Sequence, residues 1–101
     1  MPSKKASQPP KPGTSPDEWQ EYALSFDGYE HAGSTEAAER IYLSARKQIL
    51  AGKPITGTTD YLRTVLFAHQ RRYRLMEPDA QEEAREQRVT DAILAALQPT
   101  A

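Results

Sequence analysis

Apolar residues along this chain recur at helical rather than strand spacing. The clearest case is the segment 59–76, in which these positions follow one another at intervals of about three and four residues: Leu62, Val65, Leu66, His69, Tyr73 and Met76. Such intervals place the side chains on one face of an α-helix. We therefore predict a central helix over about residues 59–76, with Thr58 or Thr59 as its N-cap.

Two shorter helical patterns precede this segment. A helix start is signalled at Ser15, with Pro16 in the first helical position, and Trp19, Tyr22 and Phe26 then share one side until Asp27-Gly28 stops the helix. A second helix is predicted from an N-cap at Ser34 to a stop at Gly52. Its apolar stripe consists of Ala38, Ile41, Tyr42, Ala45 and Ile49.

A final helix is predicted after Pro78, which ends the central helix or starts the last one. The segment is polar through about Arg88, and its apolar positions follow only afterwards: Val89, Ala92, Ile93, Ala96 and Leu97. We expect the early turns to be solvated and the later turns to pack. The fold class is therefore all-α, a small bundle of three to four helices.

Residues 1–15 differ in composition from the rest of the chain. They contain prolines and lysines but no aromatic and no branched aliphatic side chain. Such a segment buries too little apolar surface to offset the entropy of ordering. We predict a disordered, basic, proline-rich arm over 1–15, followed by one helical domain over 16–98.

The composition excludes several classes of protein. The sequence of 101 residues has no cysteine, so disulfides, thiolate chemistry and cysteine-ligated zinc are ruled out. No apolar stretch approaches the roughly 20 residues that span a bilayer, and no signal-peptide core is present at the N-terminus. We expect a cytoplasmic protein with no membrane partner.

Charge is sorted into blocks although the net charge is only -1. Residues 17–39 carry acids and no base, whereas residues 40–76 carry bases and the single acid Asp60. This pattern suits helices that attract one another, and it equally suits a basic surface offered to an anionic partner.

No motif in the chain identifies a reaction or a cofactor. The two histidines, His31 and His69, have no metal-ligand spacing, and the loop after Asp27 fails the calcium pattern. The Gly52–Thr59 loop lacks the Gly-Lys-Ser/Thr ending of a phosphate loop. We expect no enzyme, metal or cofactor, and we interpret His69 as a core histidine. A catalytic His69 would need a carboxylate partner in a cleft.

The best candidate for recognition is the basic end of the central helix. The predicted partner-binding residues are Arg71, Arg72 and Arg74, with Arg63 and Lys53 as extensions of the patch. An equally physical alternative is that these cations complement the helix dipole and are neutralised by acids within the fold. Trp19, Tyr22 and Phe26 form an alternative aromatic surface, although rings at this spacing are more often core.

These observations indicate a small non-enzymatic adaptor or regulator that binds another macromolecule, with a protein as the expected partner. The alternative is nucleic-acid binding through the arginines and the lysines of the arm, Lys4, Lys5 and Lys11. The pI of about 6.1 and the arginines' place at the far end of the helix make sequence-specific DNA binding the weaker hypothesis. Burial of an exposed apolar strip in a homodimer is also compatible with the pattern.

Overall fold

The chain forms four α-helices over the residues that the computed structural model describes, which are 8–25, 32–77 and 79–98. The helices are α1 (Pro16–Leu24), α2 (Thr35–Leu50), α3 (Thr59–Leu75) and α4 (Ala80–Leu97). Those ranges contain no strand, so the predicted all-α bundle is confirmed. Phe26, His31 and Pro78 lie outside the described residues.

Three of the helices begin with a side-chain cap. The hydroxyls of Ser34 and Thr58 accept hydrogen bonds from backbone N–H groups at the starts of α2 and α3. Asp79 and Glu82 form a reciprocal capping box at the start of α4. Ser15 occupies the predicted N-cap position of α1, but its side chain makes no capping hydrogen bond.

The end of α2 follows the prediction closely. Ala51 is the C-cap, and Gly52 has a φ of 85°, the left-handed region that glycine adopts without steric cost. The N–H of Gly52 donates to the carbonyl of Ile49, and the N–H of Lys53 donates to the carbonyl of Gln48. These bonds satisfy carbonyls that the last turn would otherwise leave open.

Helix α3 is the centre of the bundle, as its pattern predicts, because α1, α2 and α4 all pack against it. Its apolar face, including Leu62, Val65 and Leu66, is closed off from solvent. The remaining core side chains come from the three surrounding helices and the α2–α3 loop: Trp19, Tyr22, Ala23, Ala38, Tyr42, Ala45, Ile49, Ile55, Val89, Ile93 and Leu94.

The early turns of α4 are solvated, as expected, except at one position. Gln81, Glu83, Ala84 and Arg85 are exposed, whereas Glu86 is 1% exposed. Glu86 is three residues before Val89 and seven before Ile93, so it lies on the buried face of the helix. The buried side of α4 therefore begins with a carboxylate.

Residues 8–15 have no regular secondary structure and run beside α4. The backbone N–H of Gly13 donates to Oδ1 of Asp91 at 2.8 Å, and Nε2 of Gln98 donates to the carbonyl of Pro10 at 2.6 Å. We name residues 8–14 the proline strap. Residues 1–7 are not among the described residues, and their disorder stays a prediction.

Two further properties bear on function. Within the described ranges, no helix has both the length and the apolar character needed to cross a membrane. The same ranges contain no group of three or more histidine, aspartate or glutamate side chains placed to hold a metal ion.

Candidate functional site

The interior of the bundle contains a polar cluster contributed by three helices. Helix α2 supplies Tyr42 and Arg46, one turn apart, and α4 supplies Glu86 and Thr90, also one turn apart. Helix α3 supplies His69 between them. Because residues four positions apart share a helix face, each pair points toward the same part of the core.

Arg46 and Glu86 form a bidentate ion pair between α2 and α4. Nη1 and Nη2 of Arg46 each donate to a separate carboxylate oxygen of Glu86, both at 2.6 Å. The side chains are 12% and 1% exposed, so water competes weakly for these bonds. Paired, planar bonds of this kind also fix the orientation of both groups.

A directed chain of hydrogen bonds connects this ion pair to His69. Nη1 of Arg46 donates to the Tyr42 hydroxyl oxygen at 2.9 Å, and that oxygen lies 2.7 Å from Nδ1 of His69. On the far side of the ring, Nε2 lies 2.7 Å from Oγ1 of Thr90, whose hydroxyl donates to the backbone carbonyl of Glu86.

This arrangement assigns the tautomer of His69. The one hydroxyl proton of Thr90 is used at the carbonyl of Glu86, so Oγ1 accepts from Nε2–H of His69. Nδ1 then accepts the proton of the Tyr42 hydroxyl. Each hydrogen bond from Arg46 to Thr90 therefore has one donor and one acceptor assigned, and bonds linked in series in this way strengthen one another.

The ring of His69 is also enclosed by aromatic side chains. Trp19 from α1 stacks on it with ring centroids 5.0 Å apart and planes 17° from parallel. Tyr73 packs in a T-shaped arrangement with both rings, with its ring centroid 5.5 Å from that of Trp19 and 6.3 Å from that of His69. His69 is 0% exposed as a result.

Burial and neighbouring charge set the protonation of the cluster. Burial lowers the pKa of His69 to about 3, against the weaker opposing charge of Glu86. Burial raises the pKa of Tyr42 to about 12. For Glu86, burial opposes ionisation, but the hydrogen bonds and charge of Arg46 outweigh it and lower the pKa. At neutral pH, His69 is therefore neutral while Arg46 and Glu86 are charged.

The cluster joins α2, α3 and α4 in the interior of the bundle. His69 has both ring nitrogens hydrogen-bonded and no exposed surface. The interpretation of His69 as a core histidine is confirmed. The sequence did not identify Glu86 as its carboxylate neighbour, whose Oε1 lies 3.9 Å from Nδ1 of His69.

The predicted basic surface is more exposed to solvent than the polar cluster. Arg71 and Arg74 are exposed at the end of α3, and Arg72 is half-buried with its Nη1 3.6 Å from Oε2 of Glu39 on α2. A surface depression joins α2 to this end of α3, and we name it the α3-end groove. Its lining residues are Glu39, Arg71, Arg72, Leu75 and Met76.

Comparison with protein families, with curated proteins and with solved structures finds no match to this chain. Its function must therefore be inferred from its own geometry.

The two predicted extensions of the basic patch lie elsewhere. Arg63 precedes Arg71 by eight residues, or about 12 Å along the helix axis. Lys53, in the loop between α2 and α3, lines a separate depression with Arg88 and Asp91 of α4. The structure gathers Arg71 and Arg72 into one groove with Glu39 and does not bring Lys53 there. Binding by any of these residues stays a prediction.

The alternative aromatic surface needs correction. Trp19 and Tyr22 are 1% and 3% exposed and belong to the core, so they offer no aromatic face to a partner. One face of Trp19 is covered by the ring of His69, on which it stacks. Phe26, the third member of that prediction, lies outside the described residues.

Proposed function

We propose that this chain is a small non-enzymatic adaptor or regulatory protein that binds another protein through the α3-end groove. The observation that carries the proposal is the exposure of Leu75, which is 78% exposed beside Arg71 and Arg72. A large apolar side chain gains free energy when a partner covers it. Arginine and methionine, both present in the groove, are enriched in protein interfaces.

The distribution of chemistry in the fold supports a binding role over an enzymatic one. In the described core, His69 is hydrogen-bonded to Tyr42, and the buried carboxylate of Glu86 is paired with Arg46. The side chains that a second molecule reaches in the groove at the end of α3 are two arginines, a leucine, a methionine and Glu39. Such groups recognise shape and charge, and Glu39 has no histidine or hydroxyl nucleophile beside it in the lining of the groove.

The test is capture of partners by chemical cross-linking in the cells that make the protein. A variant with Arg71→Glu and Leu75→Ser changes the groove, and its matched control carries Arg88→Glu and Leu24→Ser. The control makes the same two chemical changes at exposed positions on α4 and α1. Quantitative mass spectrometry should show proteins that the wild type and the control retain and the groove variant loses. Identical sets of captured proteins from both variants would contradict the proposal.

Nucleic-acid binding is the second candidate, and one observation favours it. Arg71 and Arg74 are exposed, and neither has an ion-pair partner among the described residues. Guanidinium groups in that state suit phosphate oxygens. Anisotropy of labelled duplex and single-stranded DNA, with and without Arg71, Arg72 and Arg74 changed to alanine, tests this candidate. Binding that weakens with salt and with the triple change would favour it.

Two further parts of the proposal concern location and assembly. The absence of cysteine from the sequence fits a reducing compartment, so we propose a cytoplasmic protein. Self-association through the exposed Leu75 is the competing use of the same groove. Sedimentation of the purified wild type and of Leu75→Ser distinguishes self-association from partner binding. If the chain self-associates through Leu75, the wild type sediments as a dimer and Leu75→Ser as a monomer.

A further inference from the structure

The α3-end groove combines an apolar part with a pair of arginines. Arg71 and Leu75 are one turn apart on α3. Met76 is the C-cap of α3, and its backbone N–H donates to the carbonyl of Arg72. All four residues line the same groove. Glu39 faces them from α2. The groove therefore offers a ligand two kinds of contact within a short distance.

The ion pair across this groove is poorly made. Arg72 Nη1 and Glu39 Oε2 are 3.6 Å apart, beyond the 2.7–2.9 Å typical of a charge-assisted hydrogen bond. Nε of Arg72 has no hydrogen-bond partner either. Arg46, which makes two bonds of 2.6 Å to Glu86, shows how a fully engaged arginine looks in the same bundle.

Both groups of the loose pair are also accessible. The side chains of Arg72 and Glu39 are 39% and 37% exposed, so water screens their attraction and the pair contributes little free energy. A carboxylate from outside can therefore replace Glu39 at Arg72 without breaking a strong interaction. Arg71, exposed in the same groove, supplies a second guanidinium for that carboxylate.

We propose, building on the proposed function, that the α3-end groove binds a partner-protein segment carrying a carboxylate next to a large apolar side chain. The carboxylate binds Arg71 and Arg72, and the apolar side chain covers Leu75 and Met76. In the free protein, Glu39 occupies part of the place of the ligand carboxylate.

A polyanion fits the groove less well than such a segment. A nucleic-acid backbone presents a continuous row of phosphates, and Glu39 in the groove and Glu77 directly after Met76 would repel them. Phosphates also leave the exposed face of Leu75 uncovered. One carboxylate with an adjacent apolar group uses both arginines and the apolar part together.

The proposal assigns Glu39 a measurable role as an internal competitor. Glu39→Gln removes the negative charge while keeping the shape of the side chain. We expect an acidic, apolar peptide to bind this variant about threefold more tightly, as expected for the loss of a weak exposed pair. A purely structural Glu39–Arg72 contact would leave peptide affinity unchanged or lower it.

The experiment uses a phage-displayed library of random 12-residue peptides selected on the immobilised full chain. Selected peptides are then synthesised and their affinities measured by fluorescence anisotropy. We expect enrichment of aspartate or glutamate next to leucine, phenylalanine or similar residues. Leu75→Ser and Arg71→Gln should each weaken binding about tenfold, as truncation of central contacts does. The control variants Leu24→Ser and Arg88→Gln should bind as the wild type does.

Several outcomes would overturn the proposal. They are enrichment of basic or wholly apolar peptides, equal binding to Leu75→Ser, no tightening in Glu39→Gln, or no enrichment over a parallel selection on Arg71→Glu with Leu75→Ser. The proposed function fails separately. If cross-linking still finds partners that depend on the groove while the selected peptides lack acids, the groove binds proteins and only the ligand chemistry assigned here is wrong.

Discussion

Arg46 on α2 and Glu86 on α4 join two helices through a pair of 2.6 Å hydrogen bonds in the interior of the bundle. Both charges are largely removed from water, so removal of either one would leave the other buried without a counter-charge. Arg46 also donates to the Tyr42 hydroxyl, which in turn is hydrogen-bonded to the His69 ring. The interior is therefore specified by polar geometry as well as by apolar packing.

The first prediction compares the Arg46–Glu86 pair with the Arg72–Glu39 pair. Glu86→Gln leaves the Arg46 charge buried without a counter-charge, and we expect the free energy of unfolding to fall by about 3 kcal/mol. Glu39→Gln makes the same chemical change at the exposed pair and should cost less than about 1 kcal/mol. Urea denaturation followed by the fluorescence of Trp19, the single tryptophan, measures both. Equal losses of stability in the two variants would contradict the conclusion that the Arg46–Glu86 pair is buried and the Arg72–Glu39 pair is exposed.

A double replacement tests the same pair in the other direction. Arg46→Met together with Glu86→Leu removes both charges and retains volume. We expect this variant to recover much of the stability that Glu86→Gln loses, because no unpaired charge remains. If the double variant is less stable than Glu86→Gln, the polar pair contributes more than mutual neutralisation.

The second prediction is a loss of stability in mild acid. Burial lowers the folded-state pKa of His69 to about 3, whereas the unfolded chain protonates near its ordinary 6.5. Between these values the unfolded state binds more protons, so stability falls as the pH is lowered, by up to about 1.4 kcal/mol per unit. The groups that face His69 are Trp19 on α1, Tyr42 and Arg46 on α2, Tyr73 on the same helix as His69, and Glu86 and Thr90 on α4.

Glu86 acts in the same direction at lower pH. Its folded-state pKa lies below the ordinary value of 4.5, so its contribution is present above that value and is lost as the pH falls through the lowered pKa. A His69→Gln variant separates the two, because it lacks the imidazole and retains the carboxylate. Denaturation at a series of pH values should show a shallower dependence between about 6.5 and 4.5 for the variant. Parallel curves for both proteins would count against a neutral, buried His69.

Much of the fold could be predicted because its signals are local. The caps at Ser34 and Thr58 and the left-handed Gly52 depend on neighbours within a few residues. The central position of α3 follows from its wide apolar face. A short-range pattern in the sequence contains what is needed for these features.

The polar cluster could not be predicted for the opposite reason. Arg46 and Glu86 are 40 residues apart in the chain, and Tyr42 and His69 are 27 apart, so only the packing of the helices brings them together. One signal was available, since Glu86 precedes Val89 and Ile93 at helical spacing. A charged residue on an apolar stripe predicts a buried partner of opposite charge.

The basic surface was predictable in part. Arg71 and Arg74 fall outside the apolar face of α3, and their exposure follows from helical periodicity. The groove itself depends on how closely Glu39 of α2 approaches Arg72. The distance of Lys53 from that groove depends on the path of the α2–α3 loop, which periodicity does not determine.

The third prediction concerns the Tyr42 hydroxyl. Tyr42→Phe removes the donor to Nδ1 of His69 and an acceptor of Arg46, and it leaves a buried ring nitrogen unpaired. We expect a loss of about 1–3 kcal/mol in the free energy of unfolding. Tyr73→Phe is the control, since its hydroxyl makes a 3.3 Å contact to an exposed carboxylate of Glu83 and should matter by less than about 0.5 kcal/mol. Similar losses in both variants would refute the directed hydrogen-bond chain.

The fourth prediction concerns the proline strap. Oδ1 of Asp91 accepts from the N–H of Gly13 at 2.8 Å and from Nε2 of Gln87 at 2.9 Å, so Asp91→Ala should release the strap from α4. Loss of one charge-assisted bond of about 1.5 kcal/mol should speed amide exchange at Gly13 roughly tenfold. Hydrogen exchange followed by NMR measures this, with the exposed Glu83→Ala as control. Unchanged exchange at Gly13 would mean that the bond from Gln98 to the Pro10 carbonyl is sufficient to hold the strap.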